Sequence, residues 1–223
     1  PTPSSLKAVK DASLNIYITG STQSRNYPTT INAYDTSFNN TISYEDVFIT
    51  KLNPSGSALI FSSYLGGSLA DKSKRIILDK ERNVYVAGYT QSTDFPKTAG
   101  AFTNSYNNSN LFISKLTASG NSLVFSTTLR TIPSSVFSGN NSYYGDLAID
   151  DSSYIYVATN GANNLLPYPG INNNFGPGNH ISLLKLDPSC TTPLYLTQFG
   201  GSSKTTDIVA AIGIDQSQNV YIT

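Results

Sequence analysis

The sequence holds one cysteine, one histidine and no methionine among its 223 residues, and charged side chains make up only 13% of it. Each scarcity closes off a class of answer. A lone Cys190 permits neither an intrachain disulfide nor a thiolate metal cluster, so stability must come from packing. With His180 the single imidazole, a Ser-His-Asp constellation would have to use it, and a zinc site would lack partners. Its Gly/Asn-rich surroundings (FGPGNHIS) read as an exposed loop. Soluble domains usually carry roughly 25% charged residues. Here 14 Lys+Arg balance 14 Asp+Glu, and a neutral surface argues against nucleic acid and anionic membranes as partners. Solubility must rest on Ser, Thr, Asn and Tyr, a composition suited to an extracellular or cell-surface protein.

Long apolar runs are missing as well. None approaches the roughly 18 residues of a membrane span, and the opening PTPSSLKAVKD has no signal-peptide core. The missing methionine reads as a processed product or a piece of something longer.

What the chain does have is repetition. A short strand, a turn and a second strand recur as AVKDASLNIYITG from Ala8, IILDKERNVYVAG from Ile76, AIDDSSYIYVAT from Ala148 and GIDQSQNVYIT from Gly213. The aligned aspartates Asp11, Asp79, Asp150 and Asp215 are 68, 71 and 65 residues apart. A second segment sets an apolar residue and proline before a polar loop: Tyr27-Pro28-Thr29-Thr30, Phe95-Pro96-Lys97-Thr98 and Leu166-Pro167-Tyr168-Pro169. Proline holds its predecessor extended. A third is a strand pair joined by a Pro/Ser/Gly turn, beginning at Val47, Leu111 and Ser182.

Four short strands per period predict an all-β chain, a β-propeller of four-stranded antiparallel blades. A blade cannot cover both faces alone, so like blades must pack side by side. The repeats run over about 7–74, 75–145 and 146–210, with 211–223 opening a further blade. Three complete repeats and a start make a partial propeller over 1–223, expected to be part of a larger ring. The first strand of each blade should lie innermost, with Ala8, Ala148 and Gly213 giving room near the axis.

The four aspartates read as hairpin residues, whose side chains accept local backbone N–H bonds. A calcium loop fails on spacing, because none shows alternating Asp/Asn ligands with a closing Glu. The Gly66-Gly67 turn lacks the Lys, Ser and following helix of a phosphate loop. Cys190 occupies the turn position that Gly56 holds in the first repeat, and an intermolecular disulfide is open to it in an oxidising setting. The acid pairs Glu45-Asp46 and Asp150-Asp151 are poorly arranged to share a substrate, since strand neighbours face opposite ways. Tyr17, Tyr85, Tyr156 and Tyr221 recur at a fixed strand position, which points to blade packing before sugar stacking. Three sequons, at Asn39, Asn107 and Asn140, suit N-glycosylation in a secreted protein.

The residues resemble the bacterial and archaeal propeller repeats known as SBBP. The resemblance rests on Tyr64-Leu65-Gly66-Gly67, then Asp79 with Asn83, Tyr85 and Gly88, then Phe95-Pro96-Lys97-Thr98. The second repeat departs from it at Leu129-Arg130-Thr131 and around Ser134 to Tyr144, and the third has Tyr154 in place of the hairpin Asn. The resemblance implies a seven-bladed propeller, secreted or surface-attached, and carries no agreed catalytic residues.

No catalytic, cofactor or metal site is therefore expected. The leading expectation is an extracellular or cell-surface structural and adhesive glycoprotein, with protein or glycan as partner, alongside other blades or domains of its own or a neighbouring chain. A rival class is a polysaccharide lyase or hydrolase with acids and tyrosines converging at the channel mouth. A ligand-sensing receptor domain is a third.

Overall fold

The computed structural model describes residues 6–40, 44–103, 110–130, 145–160, 181–200 and 209–223. Among these every regular element is a strand, in the order β1 (Lys7–Lys10), β2 (Ile16–Thr22), β3 (Asp46–Leu52), β4 (Leu59–Leu65), β5 (Asp71–Leu78), β6 (Val84–Thr90), β7 (Asn110–Leu116), β8 (Leu123–Arg130), β9 (Gly145–Ile149), β10 (Ile155–Asn160), β11 (Ile181–Leu186), β12 (Pro193–Phe199), β13 (Ile212–Ile214) and β14 (Val220–Ile222). They form three four-stranded sheets, β1-β2-β3-β4, β5-β6-β7-β8 and β9-β10-β11-β12, and one hairpin, β13-β14. Each strand pairs with its neighbours in sequence, antiparallel in β1-β2-β3-β4, β5-β6, β9-β10-β11-β12 and β13-β14. The predicted four-strand unit is thus observed, with each sheet offset slightly from the repeat boundaries: β5 already begins at Asp71 and β9 at Gly145.

The chain divides into two compact units, one of residues 1–99 and 112–128, the other of 100–111 and 129–223. In the first, Tyr17, Val47, Ile49, Phe61 and Leu65 of one sheet pack against Ile76, Val84, Val86, Phe112 and Leu116 of the next, together with Phe95 from the loop after β6. Burying such side chains contributes about 1.5 to 3 kcal/mol each. The middle strands β6 (VYVAGYT) and β7 (NLFISKL) are buried along their whole length. That explains why, Asn110 and Lys115 of β7 apart, they are apolar or hydroxylic on both faces instead of alternating. In the second unit Ala148, Tyr156, Ala158 and Leu183 pack with Val209 and Ile212.

The proline segments guard exposed sheet edges. Thr98 N–H donates to the Ser126 carbonyl at 3.0 Å, Ser126 N–H returns a bond to Thr98 Oγ1 at 3.0 Å, and Ser126 Oγ donates to the Pro96 carbonyl. Thr30 and Ser62 exchange the same pair of bonds in the first sheet. An outermost strand otherwise offers unpaired backbone groups to other chains, so the threonine after the proline acts as a clasp. The corresponding segment around Leu166 and Pro167 lies outside the described residues.

The turn between third and fourth strands repeats too. Gly56 and Gly120 both stand at φ +70°, a left-handed conformation natural to glycine. Cys190 holds the third copy at φ 58° despite its side chain. It is fully buried, and burial, with Asp187 adding to it, pushes its thiol up to about 12. A buried thiol held protonated does not suit the intermolecular disulfide the sequence left open.

Candidate functional site

Two kinds of acid site are built into these sheets. The first is the aspartate hairpin. Asp11 Oδ1 accepts the N–H groups of Ser13 and Asn15, both at 2.9 Å, while Oδ2 accepts Asn15 Nδ2 at 2.9 Å and the Tyr17 hydroxyl at 3.1 Å. Asp150 takes the N–H groups of Ser152 and Tyr154 and the hydroxyl of Tyr156. Asp215 takes Asn219 through both backbone and side chain, and Tyr221. Each turn closes by placing the residue three after the aspartate at positive φ: Leu14, Arg82, Ser153 and Gln218. The expected local bonds are present in all four copies, and every such aspartate is satisfied by its own turn.

A lysine from the third strand completes the arrangement where that strand exists. Lys51, Lys115 and Lys185 stand 4.8, 4.9 and 4.7 Å from the ring centroids of Tyr17, Tyr85 and Tyr156. In the second sheet the ammonium also reaches Asp79 Oδ2 at 2.9 Å, within an almost fully buried pair. Burial works against the Lys115 charge, yet Tyr85 and Asp79 outweigh it and its pKa rises. These tyrosines are packing residues, as their recurrence predicted. Tyr221 is the exception: it is 59% exposed, because β14 has no neighbour but β13 among the described residues.

The second site was not read from the sequence. Gly66 and Gly67 lead from the first sheet into the second, and carboxylates close on them from both. A Cβ on Gly66 would lie 2.7 Å from Asp46 Oδ1 and 2.9 Å from Asp71 Oδ2; one on Gly67 would lie 2.5 Å from Asp94 Oδ1. The two glycines are thus required by close approach of side chains to the backbone. Asp71 Oδ2 accepts Gly67 N–H at 2.7 Å and Ser92 Oγ at 2.9 Å. Asp94 Oδ1 accepts the N–H and hydroxyl of Ser68. Asp46 accepts the Asn39 N–H at 3.0 Å and Asn40 Nδ2 at 2.5 Å.

Asp46 and Asp71 have no exposed surface. Among the described residues no ion pair is formed by either; the nearby Lys72 pairs with Glu45 at 3.4 Å. Burial pushes Asp71 up to about 7, against the bonds from Thr90, Gly67 and Ser92, with the Asp46 charge adding to it. Burial likewise brings Asp46 to about 6, with Asp35 and Asp94 adding to the rise. Two buried atoms here have no hydrogen-bond partner, Asp71 Oδ1 and Asn40 Oδ1. Among the described residues no group of three or more His, Cys, Asp or Glu is arranged to hold a metal ion.

The remaining sequence candidates divide plainly. Asn39 is exposed, but its amide donates to Asp35 Oδ2 at 3.0 Å and to the Gly66 carbonyl at 3.4 Å, so a glycan there would stand at the rim of the acid corner. Asn107, Asn140, His180 and the insertion around Ser134 lie outside the described residues. Glu45 and Asp46 do diverge as strand neighbours should, one to Lys72 and the other into the corner. In sequence Asp71 is marked by position alone: it follows the Gly-Gly pair by four residues and precedes the hairpin Asp79 by eight.

Two stretches of the chain, residues 60–96 and 194–223, match the SBBP β-propeller repeat family. Each match opens in the outermost strand of one sheet, β4 or β12, and ends in or beyond the first hairpin of the next. The family unit therefore straddles two sheets, and the first match contains Gly66, Gly67, Asp71, Ser92 and Asp94. No curated protein matches the chain.

Proposed function

For a chain that carries SBBP β-propeller repeats, all-β and built of four-stranded antiparallel blades, we propose a structural and adhesive role outside the cell or on its surface, binding protein or glycan. One observation carries this reading. Ile60, Val124 and Leu194 occupy the same position on the outermost strand of their respective sheets, and are 47%, 49% and 47% exposed. Ile60 and Leu194 sit opposite register shifts, between Lys51 and Leu52 and between Lys185 and Leu186. Scattered apolar residues on a surface need no explanation. The same residue class held open at one repeated register does, and on a neutral, charge-poor chain it suits contact with an uncharged partner.

A lyase or hydrolase reading would ask for acids open to a substrate. Asp46 and Asp71, the pair that meets, have no exposed surface, and each hairpin aspartate is occupied by its own turn.

The test has two arms. Intact cells producing the full-length protein are labelled with a membrane-impermeant reagent, and the purified chain is passed over immobilised surface glycans and surface proteins. Labelling is expected, as is retention that falls at least several-fold when Ile60, Val124 and Leu194 are all changed to serine. Recovery from the cytosol alone would overturn the location, and unchanged retention of the triple variant would overturn the binding surface.

A further inference from the structure

The Gly66–Gly67 corner joins two sheets of the first unit around carboxylates that form no ion pair among the described residues. Asp46 begins β3 of the first sheet and Asp71 begins β5 of the second. Asp71 N–H also donates to the Glu45 carbonyl at 2.7 Å, tying the two strand starts together. Two ionised carboxylates at one dry site repel each other and lack the hydration that stabilises them in water, so such a pair retains its protons to higher pH. Asp71 Oδ1 is buried without a well-formed hydrogen bond among the described residues, although the Thr90 hydroxyl approaches the carboxyl, and a bare anionic oxygen there is costly. The charged groups that face the pair do not relieve it. Asp35 from the β2–β3 connection and Asp94 from the loop after β6 add negative charge, Tyr64 of β4 is neutral at ordinary pH, and Lys72 is engaged by Glu45.

We propose that Asp46 and Asp71 are both protonated in the folded chain in mild acid and that loss of these protons loosens the junction between the first and second sheets, making the corner a pH-sensitive latch that holds in mild acid. The sign follows from linkage. Both groups bind a proton more tightly folded than unfolded, where a carboxyl titrates near 3.8. The stabilisation is therefore fully present below that value, and it is lost as pH rises through about 6 and about 7. Most proteins that respond to their carboxylates do the opposite.

Thermal melting of the full chain and of Asp71→Asn, from about pH 5 to about pH 8, tests this. Asparagine keeps an acceptor for Gly67 and Ser92 but cannot ionise. The native chain is expected to melt roughly 5 °C lower at the alkaline end. The variant should have a flattened profile and the higher melting temperature there. Infrared difference spectra supply a measure independent of stability: a protonated-carboxyl band should be present in the native chain in mild acid, fade as pH rises through about 6 and about 7, and weaken in Asp71→Asn or in Asp46→Asn. A flat native profile, an unchanged slope in Asp71→Asn, or absence of that band would overturn the proposal. So would calcium raising the melting temperature of the native chain but not of Asp71→Asn, since the corner would then be a cation site.

Discussion

Strand β5 starts on one buried aspartate, Asp71, and is followed directly by another, Asp79, and the two are treated oppositely. Asp79 Oδ1 accepts the Asn83 N–H at 2.8 Å, and its Oδ2 takes Asn83 Nδ2 and the Lys115 ammonium, both at 2.9 Å. Among the described residues Asp71 has one oxygen without a hydrogen-bond partner, no ion pair, and another carboxylate across a glycine. One strand thus carries a satisfied charge at its turn end and an unsatisfied one where it meets the preceding sheet. Burial alone does not define an acid's role; the donors supplied to it do. Asp79 is held by its turn and by Lys115, whereas Asp71 is poised to change its charge.

The largest effect expected from breaking this contrast comes at the satisfied end. Asp79→Ala strands Lys115 as a buried cation without its carboxylate, and should destabilise the chain by about 3 to 5 kcal/mol in denaturant unfolding. Asp79→Asn should fall well short of that, because the turn bonds survive. At the other end, Gly66→Ala drives a methyl into the Asp46 and Asp71 carboxylates and should cost about 1 to 3 kcal/mol. Combining it with Asp71→Asn tests whether the clash is with a charge or with shape: a charge-dominated clash is relieved in the double variant, a steric one is not. Thr98→Ala removes the acceptor for Ser126 N–H and should cost about 1 kcal/mol, with a greater tendency to associate through β8 in light scattering. The smallest effect is expected at Asp215. Its hairpin is exposed and without a third strand among the described residues, so Asp215→Ala should leave the melting of the rest of the chain unchanged while hydrogen exchange in β13 and β14 quickens.

Asp215 also shows how far local reading carries. Its side-chain bonds to Asn219 and Tyr221 repeat those of Asp11, and hydrogen bonds with those residues hold its carboxyl below the usual range, as at Asp11, where they do so against burial. The turn depends on residues within six positions, so aligned sequence revealed it. Whether the tyrosine is then buried depends on a strand some thirty residues away along the chain, as Lys51 is from Tyr17. That is why Tyr221 departed from its three relatives. The proline segments were visible as motifs, but not their clasp on the fourth strand, because Thr98 and Ser126 are 28 residues apart. The acid corner was least legible of all. Asp46, Asp71 and Asp94 are ordinary single acids in sequence, and the Gly-Gly pair between them looked like a turn with no further purpose.

By itself the sequence determined the strand repeat, the aspartate hairpins and the scarcity of thiol and imidazole groups, since each depends on composition or on neighbours a few residues apart. The tertiary structure alone decided which aspartates are neutralised and which are left bare. That outcome is a matter of which donors the packing of separate strands delivers to a buried carboxylate, and no local pattern encodes it.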